Sequence, residues 1–148
     1  MLNKEELYRA IKKLLETQHL AVLATQGDEY PYCTLVGYVQ SEDGKEILFA
    51  TIRETRKYNN LKKNSHVSLL ITSQTNKVSD FKEAEALTIL GHAEELGHDA
   101  HTQAIARYLK KHPYLEDFIK TPDCALIRVV VVKYILVQNF QNVSEYEF

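Results

Sequence analysis

Residues 50–71, ATIRETRKYNNLKKNSHVSLLI, read as the end of a strand, a short loop, one brief helix and a second strand. Apolar and β-branched residues dominate both ends, and Thr55 stands where a helix over 56–64 needs its N-cap. Charge is the anomaly. Arg53, Arg56 and Lys57 crowd the start of that helix, where aligned peptide dipoles already make the terminus partially positive, so each cation in the first turn costs roughly 0.3–1 kcal/mol. The arrangement calls for an anion. A Thr55 cap leaves the first helical N–H groups beside two cationic side chains, a donor set that suits phosphate. On spacing alone, a solvated basic loop with Lys62 and Lys63 favourable at the helix C-terminus is an equal alternative.

Upstream, Leu7, Tyr8, Ile11, Leu14 and Leu15 recur at helical spacing within residues 3–18, with Asn3 as N-cap and Glu5 and Glu6 in the first turn. LAVLATQ (20–26), a Gly27-Asp28 turn and YPYCTLVGYV (30–39) make a first hairpin. SEDGK (41–45) carries the Asp-Gly pair of tight hairpin turns, and EILFAT (46–51) extends the run to a three-stranded meander. Downstream, HVSLLIT (66–72) is a strand and SQTNKVSDFKEA (73–84) a polar loop. EALTILGHAEEL (85–96) resumes strand character, with Gly91 marking a bulge or a close approach. Residues 98–111 and the turns around Pro113 to Ile119 are helical, and CALIRVVVVKYILVQNF (124–140) is the last strand.

Short hairpin connections and the absence of alternating βαβ units predict an α+β, mostly antiparallel fold, an open sheet or small barrel of about six strands with flanking helices. At 148 residues with 45% hydrophobic content, one domain spanning 1–148 is expected. The last strand is too long and too apolar to be half exposed in a small monomer, so a homodimer is expected to cover it.

Composition narrows the function. A formal net charge of −2 provides no global field for nucleic acid, so any anion site is local. VVVVKYILV (129–137) is broken by Lys133 and is far shorter than a membrane-spanning helix of about 20 residues. Cys33 and Cys124 show no metal-ligand or disulfide spacing and suit a reducing, cytoplasmic setting. The opening residues lack the apolar run and cleavage site of a signal peptide, so the mature chain is expected to begin there. His98 and His101, three apart on a helix, have no convincing third ligand; with His92 and His112 they read as exposed polar residues, and no metal is expected. Cys33 has no base placed beside it by any motif and reads as an inert strand cysteine. Tyr30, Tyr32 and Tyr38 read mostly as barrel packing. No dinucleotide-binding, Walker, nucleophile-elbow or zincin motif is present.

The pattern LAVLAT, YPYCTLVGYV, EILFAT and TRKYNNLKKNSHVSLLI, spread over roughly residues 7–96 and continued by LTILGHAEEL, resembles the flavin-binding split-barrel family of pyridoxamine 5′-phosphate oxidase. The resemblance implies a six-stranded split barrel that binds FMN, with the cofactor phosphate at Thr55, Arg56 and Lys57. By the same resemblance the strand Cys33, Thr34, Leu35, Val36, Gly37, Tyr38 lies along the flavin ring, and Ala50 and Thr51 contact the ring or the ribityl chain. Gly37 fits a close approach of a ligand to the strand, or equally a bulge. The family's oxidase carries an arginine where Cys33 stands and a glutamine where Ala86 stands. It also ends in a tryptophan and an Arg-Leu-His-type segment, whereas this chain has no tryptophan and ends QNFQNVSEYEF, which excludes pyridoxal phosphate synthesis as the expected activity.

The expectation is therefore an FMN-dependent oxidoreductase acting on a small organic molecule, in a homodimer with the flavin site at the interface. A non-catalytic flavin, deazaflavin or haem binding module is the alternative, since fold alone does not determine chemistry. A structural dimer whose basic loop meets an acidic partner is the third reading.

Overall fold

The computed structural model describes residues 2–148. Helix α1 (Lys4–Thr17) begins in a capping box, Asn3 accepting from the Glu6 N–H while the Glu6 carboxylate accepts from the Asn3 N–H. Strands β1 (Leu20–Gln26), β2 (Pro31–Gln40) and β3 (Glu46–Ile52) form the expected antiparallel meander. Helix α2 (Arg56–Lys63) leads to β4 (His66–Thr72), a short helix α3 (Asp80–Glu83) and β5 (Ala86–Glu95). Then come α4 (His98–Lys111), a 3-10 turn (Pro113–Leu115), α5 (Glu116–Ile119), β6 (Cys124–Gln138) and β7 (Asn142–Tyr146).

The strand order is β3-β2-β1-β4-β5-β6-β7, and β3 pairs again with β6 from Glu46↔Val130 to Ile52↔Cys124. That pairing closes six antiparallel strands into a barrel with flanking helices, as expected. It also explains the length of β6. One edge of this strand pairs with β5, while the other serves β3 with residues 124–130 and β7 with residues 134–138.

Alternation along the strands sends Leu23, Tyr38, Phe49, Leu69, Ile89 and Ile127 into one core, and α1 adds Leu7, Ile11, Leu14 and Leu15 to it. The Tyr38 hydroxyl donates to the Leu15 carbonyl at 2.7 Å, tying helix to barrel inside that core. A second core lies outside the barrel wall. There Val39, Leu48, Ala50, Cys124 and Leu126 pack under Leu96, Ala104, Tyr108 and Ile119. The first half of β6 is thus covered on its outer face by α4 and α5 of the same chain, whereas Val130 and Val132 stay exposed. The expected cover for β6 therefore comes, over its first half, from its own chain and not from a second copy.

Three features differ from or extend the sequence reading. The residues after 138 turn back as β7, through Asn139 and Phe140 at φ 50 and 67. The polar loop contains α3, whose Asp80 carboxylate accepts from the N–H groups of Thr75, Asn76 and Lys77. Gly91 is a true bulge, with the β5–β6 register shifting between Leu90 and Gly91. No helix among the described residues is long and apolar enough to cross a membrane.

Candidate functional site

The β2–β3 ladder covers only Tyr38↔Phe49, Val39↔Leu48 and Gln40↔Ile47. Beyond it the strands part: β2 continues with β1 alone and β3 with β6 alone. The gap holds a cleft of about 680 Å³, walled by Leu35, Val36 and Gly37 on one side and by Ala50, Thr51 and Ile52 on the other. Thr55 and Lys57 line its α2 end. Tyr108, His112, Tyr114, Leu115 and Phe118, from α4 to α5, supply the remaining wall.

The exposed strand edge follows from β geometry. The Tyr38 N–H donates to the His19 carbonyl on the β1 side at 3.3 Å, and backbone groups of successive residues alternate sides, so those of Cys33 and Leu35 point into the split, where no strand among the described residues pairs them. Gly37 lies in unshifted register with β1, so it is no bulge. A Cβ there would stand 3.2 Å from the Tyr108 hydroxyl, which makes it a point of close approach for α4. The carbonyls of Gly37 and Tyr38 already accept from Tyr108 Oη (3.1 Å) and His112 Nε2 (2.6 Å).

At the α2 end, Thr55 is the N-cap, accepting from the Tyr58 N–H at 3.4 Å and donating to the Ile52 carbonyl at 2.8 Å. The Thr51 and Thr55 hydroxyls lie 3.0 Å apart. No acidic residue occupies the first turn of α2, and the backbone N–H groups of Arg56 and Lys57 meet no acceptor among the described residues. The three cations separate in role. Arg53 is held by Glu95 (Nη2 to Oε2 2.8 Å) and by the Pro122 carbonyl, so it does not belong to an anion site. Arg56 lies over the Tyr32 ring, its guanidinium carbon 5.1 Å from the centroid. Lys57 faces the cleft, and burial pulls its pKa below the usual lysine value. Neither Arg56 nor Lys57 has a carboxylate within ion-pair distance among the described residues, in contrast to Arg9, Arg53, Lys63, Lys120, Arg128 and Lys133.

The structure thus brings Leu35, Val36, Gly37, Ala50, Thr51, Thr55 and Lys57 to one cleft. Arg56 adjoins its α2 end in sequence, Cys33 is an exposed free thiol, Thr34 lies on the strand between, and the Tyr38 side chain is in the barrel core. The α4–α5 wall was not anticipated. Its signal was faint: His112 read as an exposed histidine, but it is 1% exposed and engaged at both ring nitrogens, Nε2 by Tyr38 and Nδ1 by the Tyr114 hydroxyl at 3.4 Å. A carbonyl only accepts, so Nε2 carries the proton. Among the described residues no three His, Cys, Asp or Glu side chains converge as a metal site.

Burial lowers the His112 pKa, against the bond to Tyr38, which raises it; Lys111 and His19 nearby also lower it. The unfolded chain therefore binds this proton first as the pH falls, and stability contributed by neutral His112 is complete above about pH 6.5 and lost below it. Urea unfolding between pH 7 and 5 should show a wild-type slope that His112→Gln flattens; equal slopes in the two proteins would refute the assignment.

The sequence matches the family model described as pyridoxamine 5′-phosphate oxidase over residues 7–138. No curated protein matches it. Among solved structures it is similar to a haem-binding protein from Mycobacterium smegmatis (TM-score 0.82, 18% identity, covering 99% of this chain and 59% of that one). It is also similar to a Clostridium acetobutylicum protein related to general stress protein 26 of B. subtilis, of the pyridoxinephosphate oxidase family (0.74, 19%, 99% and 97%). A FAD-binding protein from Mesorhizobium loti is a third such structure (0.67, 16%, 93% and 90%). At these identities the likeness establishes the fold, and the chain spans under two thirds of the mycobacterial protein. Residues 7–138 include every strand of the closed barrel, and the chain therefore belongs to the pyridoxamine 5′-phosphate oxidase family.

Proposed function

We propose that this chain, acting as one domain, binds FMN in the split of its barrel and is an oxidoreductase for a small organic molecule. The carrying observation is the α2 end of the cleft, where Lys57 lines the half-buried mouth of an apolar groove with Arg56 next to it in sequence, and where, among the described residues, neither cation has a carboxylate partner and neither backbone N–H has an acceptor. A cation at a helix N-terminus is unfavourable unless an anion joins it. The cofactor phosphate is that anion, held by Thr55, Arg56 and the Lys57 ammonium. The groove volume lies within the range of small-molecule and cofactor sites.

When bound, the flavin supplies hydride chemistry at its ring. The chain's part is to hold and orient. The backbone of strand 33–38, chiefly Cys33 and Leu35, offers donors and acceptors along one wall, with Ala50 and Thr51 opposite. Tyr108, Leu115 and Phe118 keep water from the third side. The outer face of the barrel carries Leu35, Val22 and Leu70 in one register row across β2, β1 and β4, with Leu20 exposed beside it. A second copy of the chain is the occupant that completes the site there.

The test is flavin fluorescence titration of the purified chain. Charge-assisted hydrogen bonds contribute roughly 1.5–3 kcal/mol each, so Lys57→Ala should weaken FMN binding by roughly 10- to 100-fold. Unchanged affinity would overturn the phosphate assignment. The likeness to a haem-binding protein favours a haem module as the second reading; a Soret band on titration with haem, with no response to FMN, would select it.

A further inference from the structure

We propose that His66 and His92 form a two-imidazole site for a divalent transition metal ion on the outer wall of the barrel. This groove, about 560 Å³ and shared with the β1–β2 turn, has no residue in common with the cleft.

The backbone dictates the juxtaposition. His66 on β4 is the register partner of His92 on β5. The adjoining pair Ser65/Ala93 is hydrogen-bonded, Ala93 N–H donating to the Ser65 carbonyl at 2.8 Å. The next pair, His66/His92, is therefore the non-hydrogen-bonded kind, in which facing side chains stand closest. The ring centroids are 4.5 Å apart with the planes at 80°. Both residues are exposed. Neither imidazole hydrogen-bonds a protein group among the described residues; the only side-chain partner near His66 is Asn64, which accepts from its backbone N–H. His112, by contrast, has both nitrogens occupied.

Two imidazoles presented side by side on paired strands are a preorganised bidentate donor. The donors are borderline-soft nitrogens, so Cu²⁺, Ni²⁺ and Zn²⁺ are the ions they suit, with Cu²⁺ bound most tightly. Ca²⁺ and Mg²⁺ need oxygen ligands and are rejected. Water completes the shell. Asp28 and Glu29 line the same groove and add negative potential there, although Asp28 lies 3.7 Å from Lys63.

The experiment is calorimetric titration of the full chain with Cu²⁺, Ni²⁺, Zn²⁺ and Ca²⁺, with electron paramagnetic resonance of the Cu²⁺ form. One Cu²⁺ per chain is expected, with coupling to two nitrogens, weaker binding of Ni²⁺ and Zn²⁺, and none of Ca²⁺. His92→Thr keeps a strand-forming residue on an exposed face and should weaken binding by roughly tenfold or more. His66→Thr should do the same. Ala substitutions of His98 and His101, the other closely spaced histidines, should leave binding intact. Absence of Cu²⁺ binding, wild-type affinity in His66→Thr and His92→Thr, or loss confined to the His98/His101 variant would each overturn the site. FMN titration of the same variants should be unchanged, which separates this site from the cleft.

Discussion

Gly91→Ala is expected to destabilise the protein by about 3 kcal/mol. A Cβ at this bulge would lie 2.5 Å from the Val130 carbonyl oxygen and 2.6 Å from Val129 Cγ1, inside any sustainable contact. The side chain of Val129 could turn, but the Val130 backbone cannot yield. It is paired to β5 on one edge and, through Glu46↔Val130, to β3 on the other. Relief requires displacing the ladder that closes the barrel. For a chain of this size the loss corresponds to a fall in Tm of roughly 6–12 °C. Thermal denaturation checks it, with Gly97→Ser as control. A Cβ at Gly97, the N-cap of α4, meets nothing within 4 Å, and serine caps well, so the control should be neutral or slightly stabilising. Equal midpoints for wild type and Gly91→Ala would show that the bulge is not constrained as described.

Phe49→Ala should cost more, about 3–5 kcal/mol. Phe49 is fully buried at the centre of β3, between Tyr38 of β2 and Ile127 of β6 in register. All three side chains belong to the barrel core, and strands fixed by ladder bonds on both sides cannot collapse into the void. Since small domains hold only about 5–15 kcal/mol in total, this one change removes a large share of the margin. Urea unfolding measures it; a loss below about 1 kcal/mol would mean that the core relaxes around the gap.

What could be read from the chain without coordinates is what short-range chemistry controls. Asn3 and Thr55 were legible as caps because a cap is decided within three residues. The strand around Leu23 and the meander through Asp43-Gly44 were legible from alternation and turn residues, and Gly91 from its place inside an apolar run. Pairings across long separations were not. Nothing near Arg53 announces Glu95, 42 residues away, so the sequence counts Arg53 in the basic crowd before α2 although Glu95 neutralises it. The cover over Leu48 and Leu126 comes from Tyr108 and Ile119 on helices whose docking depends on the closed barrel. His112 likewise looked polar in sequence, and only the approach of α4 to Tyr38 buries it. The hairpin into β7 was missed because Phe140 adopts a positive φ, a conformation disfavoured for a bulky residue and unsignalled by composition.

The double duty of β6 bears on how the chain comes into being. Synthesis delivers β3 long before residues 124–130, its final neighbours, leave the ribosome. In that interval the nascent meander presents an unsatisfied flank, and such flanks recruit other chains. Contacts between segments this distant in sequence also slow folding. Maturation is therefore gated by the arrival of the last long strand, and the chain is most vulnerable to self-association just before it emerges.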